Sequence, residues 1–108
     1  SIPIQISLCS RMPLDTSTVE HAGQWALRIC EHLDATRYVN PPGGRDIFRV
    51  EEWQASGIEL CFTKLRPWTY SCHPYEFEDH LSILDVLMWN SPSTVMTRLQ
   101  SATANPAG

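Results

Sequence analysis

The sequence predicts an α/β fold: a small, three-stranded, mainly parallel sheet with flanking helices, in the order β-α-β-α-β-α. Three observations carry this. Short alternating or β-branched apolar runs recur at 2–9, 36–39 and 58–63. Segments with three- and four-residue apolar spacing lie between and after them. Such alternation is built most simply from right-handed crossovers onto one sheet. With 108 residues, the expected organisation is one domain over 1–100 and a frayed, flexible tail over 101–108.

In residues 2–9, Ile2, Ile4, Ile6 and Leu8 alternate with polar or small residues, the pattern of a half-buried strand. Ser17-Thr18-Val19-Glu20 has capping-box spacing and introduces a helix. Val19, Ala22, Ala26, Ile29 and Leu33 form its apolar stripe. Thr36-Arg37-Tyr38-Val39 is a second strand, halted by Asn40-Pro41-Pro42-Gly43-Gly44. Residues 49–56 make a short helix, with Gly57 just past its end. Ile58–Thr63 is the third strand, ended by Arg66-Pro67, and residues 67–79 are turn-rich and aromatic. Leu81, Ile83, Leu84, Val86, Leu87, Met88 and Trp89 make the 80–90 helix apolar nearly all round, which predicts a buried helix. Ser91-Pro92 starts the last helix as N-cap and first helical residue.

Composition narrows the functions. Eight basic against twelve acidic residues give a net charge of −4, which argues against a nucleic-acid partner. No apolar run is long enough to cross a bilayer, so no membrane partner is expected. Ser1-Ile2-Pro3-Ile4 lacks the basic and apolar regions of a signal peptide, and the expected location is cytoplasmic. Cys9, Cys30, Cys61 and Cys72 are far apart, without C-x-x-C or zinc-ribbon spacing. They read as buried thiols, with no metal and no cofactor implied. Cys72-His73 is too close a step for a ligand pair or a nucleophile–base pair. His21 and His32 read as solvated.

The strongest candidate site is Asn40-Pro41-Pro42-Gly43-Gly44-Arg45-Asp46, at the expected carboxyl end of the second strand, where open α/β sheets place ligands. Gly43 and Gly44 allow positive φ and close backbone approach, and Arg45 offers a planar fork for phosphate or carboxylate. The structural alternative is a stiff turn in which Arg45 pairs with Asp46 or Glu51. Asp85 stands inside the apolar helix with Ser82 on its face. Enclosed there it needs a partner, Arg45 first among them, or serves structurally by accepting loop amides.

Tyr38 through Arg45, then Gly57-Ile58-Glu59-Leu60, Tyr70, and Leu81-Ser82-Ile83-Leu84-Asp85-Val86-Leu87-Met88-Trp89-Asn90 resemble the C-terminal half of the WbqC-like proteins. Members carry a tyrosine, an (S/N)-x-P-(G/A)-G-R loop, G-I-x-L, and L-S-I-(I/L)-D-x-L-(M/F)-x-N. The resemblance spans roughly residues 2–99. Full-length members are longer and begin with a Q-P-x-(Y/F)-x-P-x-x-G segment absent here, so the chain reads as a fragment or a short relative. The resemblance implies bacterial surface-polysaccharide biosynthesis, O-antigen clusters included. It further implies an anionic small molecule, a nucleotide-sugar or acyl donor, and group transfer to an amino sugar. Gly43, Gly44 and Arg45 would then hold the anion, Asp85 would act as base or orienter, and Asn40, Ser82 and Asn90 would line the site. The alternative is a non-catalytic binding or interaction module. The apolar 80–90 helix adds an expected homodimer through Leu84, Met88 or Trp89.

Overall fold

The computed structural model describes residues 3–64 and 66–107. Ile2 of the expected first strand and Gly108 of the expected tail lie outside them. The elements are α1 (Ala22–His32), β1 (Arg37–Asn40), a 3-10 turn (Pro42–Ile47), α2 (Val50–Ala55), β2 (Glu59–Lys64), α3 (Ile83–Trp89), α4 (Pro92–Gln100) and β3 (Thr103–Pro106), after a short 3-10 turn at Cys9–Arg11. The sheet is three-stranded but mixed. β1 runs parallel to β2, with Arg37 opposite Glu59 and Asn40 opposite Phe62. β3 lies antiparallel on the other edge of β2, with Lys64 opposite Thr103 and Cys61 opposite Pro106.

This corrects the mainly parallel β-α-β-α-β-α sheet. Residues 3–8 join no strand, and Ile4, Ile6 and Leu8 are exposed. Their alternation states which faces a strand would present, not which edge it would join. The edge of β2 is instead taken by Thr103–Pro106, which fraying would have left unpaired. Pro106 is tolerated because β3 is an edge strand, and the Ala107 amide donates to the Leu60 carbonyl at 2.8 Å.

The core gathers Leu27, Cys30, Trp53, Ile58, Leu60 and Phe62, with Tyr38 and Phe48 packed on it. α1 is rotated from its expected stripe, burying Gly23, Gln24, Leu27 and Cys30 while Leu33 is exposed. Two contacts explain the rotation. A Cβ at residue 23 would stand 2.1 Å from the Ile47 carbonyl oxygen, so glycine alone lets α1 touch the 3-10 turn. Beside it, His21 Nε2 and Gln24 Nε2 both reach the Glu52 carboxylate, at 3.0 and 3.1 Å. That bond to His21, chiefly, holds the Glu52 carboxyl below its ordinary value, and His21 is therefore a packed group and not a solvated one. Ser17 does not cap α1: its amide and hydroxyl both donate to Asp15 Oδ1, forming a turn upstream of the helix.

Gly57 ends α2 with φ +70, as a C′ residue should. The Ser91 hydroxyl accepts from the Thr94 amide at 3.2 Å and starts α4 with Pro92 in its first turn. α3 departs from expectation. None of its residues is buried, and Leu84 and Met88 are 70% and 81% exposed. An all-round apolar pattern reports how much surface seeks cover, and the described residues supply cover on one side only. Cys9 is likewise exposed, whereas Cys30, Cys61 and Cys72 are buried.

The two glycine environments give opposed expectations. Gly23→Ala should destabilise the fold by about 1–3 kcal/mol, the usual cost of forcing an atom into a packed contact. Gly43 has nothing within 4 Å of an added Cβ, so Gly43→Ala should be neutral or stabilise by up to about 1 kcal/mol. Urea unfolding of both variants checks the pair.

Candidate functional site

The carboxyl ends of the two parallel strands open onto one crevice of about 660 Å³. Arg45 reaches it from the turn after β1, Lys64 from the last position of β2, and Arg66 from the segment beyond. Trp68, Asp79 and His80 close the far side. Three basic side chains thus face one acidic one, in a protein whose net charge is −4. Such a local excess attracts anions against the sign of the whole molecule.

Arg45 is placed by its neighbours. Its guanidinium carbon lies 4.3 Å from the centroid of the Phe62 ring, within cation–π range. No ion pair to Asp46 or Glu51 is found among the described residues, so the fork is held by charge–ring attraction and not by a carboxylate. The turn that carries it is regular: Pro41 O accepts from the Gly44 amide at 3.3 Å. Neither Gly43 nor Gly44 has positive φ, contrary to expectation. At Gly44 an added Cβ would meet Asn40 Nδ2 at 2.5 Å, so a larger residue would displace that side chain from its place in the turn.

Two features of the crevice wall stand out. His80 has φ +58, a left-handed conformation that costs a non-glycine residue about 1 kcal/mol. Its amide donates to Asp79 Oδ1 at 2.8 Å, which helps secure the turn. Thr63 Oγ1 is buried without a hydrogen-bond partner among the described residues. Buried polar atoms of that kind are few in native structures.

The other sequence-predicted residues are not on this crevice. Asn40 is turned to its own strand and loop, accepting from the Tyr38 hydroxyl at 3.0 Å and donating to Pro41 O at 2.9 Å. The Ser82 hydroxyl caps α3 by accepting from the Leu84 amide at 3.2 Å. Asn90 Nδ2 donates to Val86 O at 2.9 Å, closing the same helix. Asp85 does not pair with Arg45: its Oδ2 accepts from the Tyr70 hydroxyl at 2.5 Å. Tyr70 is half-buried, with Trp68 and Phe77 edge-on at 5.4 and 5.0 Å. Cys72 lies in the same turn, and burial, chiefly, pushes its thiol up, away from the thiolate a nucleophile needs. Among the described residues no group of three His, Cys, Asp or Glu side chains could hold a metal ion, and no helix is long and apolar enough to cross a membrane.

Sequence reasoning missed Lys64, Arg66, Trp68, Asp79, His80 and Asn105. For Lys64 and Arg66 a signal was present. They sit at and just beyond the end of β2, and the rule that singles out Arg45 applies equally there. Asn105 had none, because β3 was not foreseen.

The Asp85 bond has a measurable signature. Hydrogen bonding to that carboxylate, above all, raises the Tyr70 phenol from its ordinary value of 10.0 to about 12. A raised folded-state value means the bond's stabilisation is present below pH 10 and lost as pH rises through 12. Asp85→Asn should return one tyrosine to ionisation near pH 10, read by ultraviolet titration, and should flatten the alkaline fall in melting temperature between those limits.

No curated protein and no solved structure matches the chain. A family model does, across residues 1–97, a span that holds the Arg45 turn, both parallel strands, and α3 with its Asp85. The chain belongs to the WbqC-like protein family.

Proposed function

We propose that the crevice at the ends of β1 and β2 binds an anionic small molecule, with Arg45, Lys64 and Arg66 as its cationic ligands. One observation carries the reading. Three basic side chains from two separate segments converge on one cavity, and the best placed of them, Arg45, has no carboxylate partner among the described residues. An arginine preset on a ring loses little freedom on meeting an anion, which favours tight binding. The resemblance supplies the biological setting: a nucleotide-sugar or acyl donor used in bacterial surface-polysaccharide biosynthesis, with group transfer to an amino sugar. Gly43 and Gly44 act in this reading by shaping the turn that carries Arg45.

A second reading, a binding module without chemistry, draws on one specific observation. Asp85, the carboxylate nominated as base, is engaged by Tyr70 and is not among the residues lining the crevice. Self-association fits either reading, since Leu84 and Met88 present an apolar face on α3. Sedimentation at high micromolar concentration should show a dimer; a single 12 kDa species would overturn it.

The anion reading is tested by calorimetric titration with a nucleoside diphosphate sugar and with inorganic phosphate. Charge-assisted bonds from an arginine fork contribute about 1.5–3 kcal/mol, so Arg45→Ala should weaken binding tenfold or more. Arg45→Lys should restore part of it, because a point charge cannot make two parallel bonds. The variant should remain folded, since loss of the Phe62 contact costs only about 0.5–1 kcal/mol. Unchanged binding in Arg45→Ala removes Arg45 from the site.

A further inference from the structure

Next to the crevice, and sharing Trp68 with it, lies a second cavity of about 190 Å³, formed by α3, α4 and the segment after β2 and open on one side. Arg66 and Trp68 line both spaces. Ile83, Val86, Val95 and Leu99 give the second one an aliphatic wall, buried at Val95 (6% exposed) and open to solvent at Ile83 and Leu99 (53% and 47% exposed). Its remaining polar neighbours, Arg98 and Ser101, each spend one donor within the protein. Arg98 Nη2 donates to Pro67 O at 2.9 Å, and the Ser101 hydroxyl donates to Arg98 O at 2.7 Å. A nucleobase needs partners along its polar edges and would find few here, whereas a hydrocarbon needs none.

We infer that the ligand of the crevice has two parts: an anionic head held at Arg45, Lys64 and Arg66, and a hydrocarbon group seated beside Trp68. The inference rests on the anion reading above and adds the chemical class of the rest of the molecule, an alkyl or acyl chain. The size follows from volume, since an aliphatic cavity of about 150 Å³ takes a guest the size of benzene, so about six carbons fit. The juxtaposition is the argument. Trp68 lines both spaces, with Tyr70 edge-on at 5.4 Å and the Arg98 guanidinium carbon 5.9 Å from the indole centroid.

Titrations of the isotope-labelled chain, followed by amide chemical shifts, separate the two claims. The probes are inorganic phosphate, n-hexyl phosphate, 1-hexanol and uridine 5′-phosphate. Each methylene withdrawn from water is worth about a fourfold gain in affinity when fully buried, so hexyl phosphate should bind at least tenfold more tightly than phosphate. Its added shifts should fall on Val86, Val95 and Leu99. Ala102→Phe, at the half-exposed rim of the second cavity, should abolish that gain and leave phosphate binding unchanged. Leu99→Phe is the second variant if the first does not fold. Equal affinities for phosphate and hexyl phosphate overturn the two-part ligand and leave the anion site standing. Tighter binding of uridine 5′-phosphate than of hexyl phosphate overturns the hydrocarbon assignment. Binding of 1-hexanol with no binding of phosphate overturns the anion reading, and the two-part ligand with it.

Discussion

Trp53 is 1% exposed, and its indole lies nearly parallel to the Tyr38 ring with centroids 5.1 Å apart. Phe48 meets both of these rings and also Phe62, each at 5.8 Å. Arg45 then covers Phe62. This unbroken series of contacts begins in α2, crosses β1 and β2, and ends at the crevice. Each ring pair adds about 0.5–1.5 kcal/mol beyond the area it buries. The larger consequence is geometric. Because the rings interlock, the core that stabilises the sheet also sets where a guanidinium can stand at its edge. Indole nitrogen Nε1 of Trp53 remains without a partner among the described residues, a cost of about 1–3 kcal/mol that the packing outweighs.

The crevice follows from topology as much as from sequence. A parallel pair puts the carboxyl ends of both strands on the same side, so the residues after β1 and those ending β2 meet there without being neighbours in the chain. α4 completes the arrangement from outside the sheet, since Arg98 holds the Pro67 carbonyl and the Trp68 face. Basic side chains alone on a surface would be solvated and mobile; here Arg45 is set on a ring, and Lys64 and Arg66 leave the end of β2 and the segment after it toward the same crevice.

Several local signals in the sequence are met, although the Ser17–Glu20 capping box is not among them. The Asn40–Gly44 breakers, Gly57 at the end of α2 and Ser91-Pro92 at the start of α4 each depend on a few adjacent residues, and each acts as its chemistry requires. Arg45 was legible for the same reason. What was not legible depends on distant choices. Ile4, Ile6 and Leu8 carry a strand pattern as clear as that of β2, yet they join neither edge of the sheet, and the second edge of β2 goes to Thr103–Pro106, a segment with little apolar character. Asp85 was expected to be enclosed and to meet Arg45 first, or loop amides; its helix is not buried, and its partner is Tyr70, which only the placement of the turn between 67 and 79 brings to it. The stripe of α1 went astray on one glycine, because the missing side chain at residue 23 left no mark in an apolar count.

The pairing of β3 with β2 also orders events in time. β1 and β2 come together across 22 residues, with α2 folding between them. β2 and β3 must close roughly twice that separation, which adds only about 0.6 kcal/mol of loop entropy. The delay is therefore set by synthesis and not by search. During translation, Cys61–Lys64 have one neighbour and one bare edge until residue 106 has been made. A strand in that condition is a template for intermolecular pairing, so the nascent chain is most vulnerable to aggregation in the interval between completing β2 and completing β3.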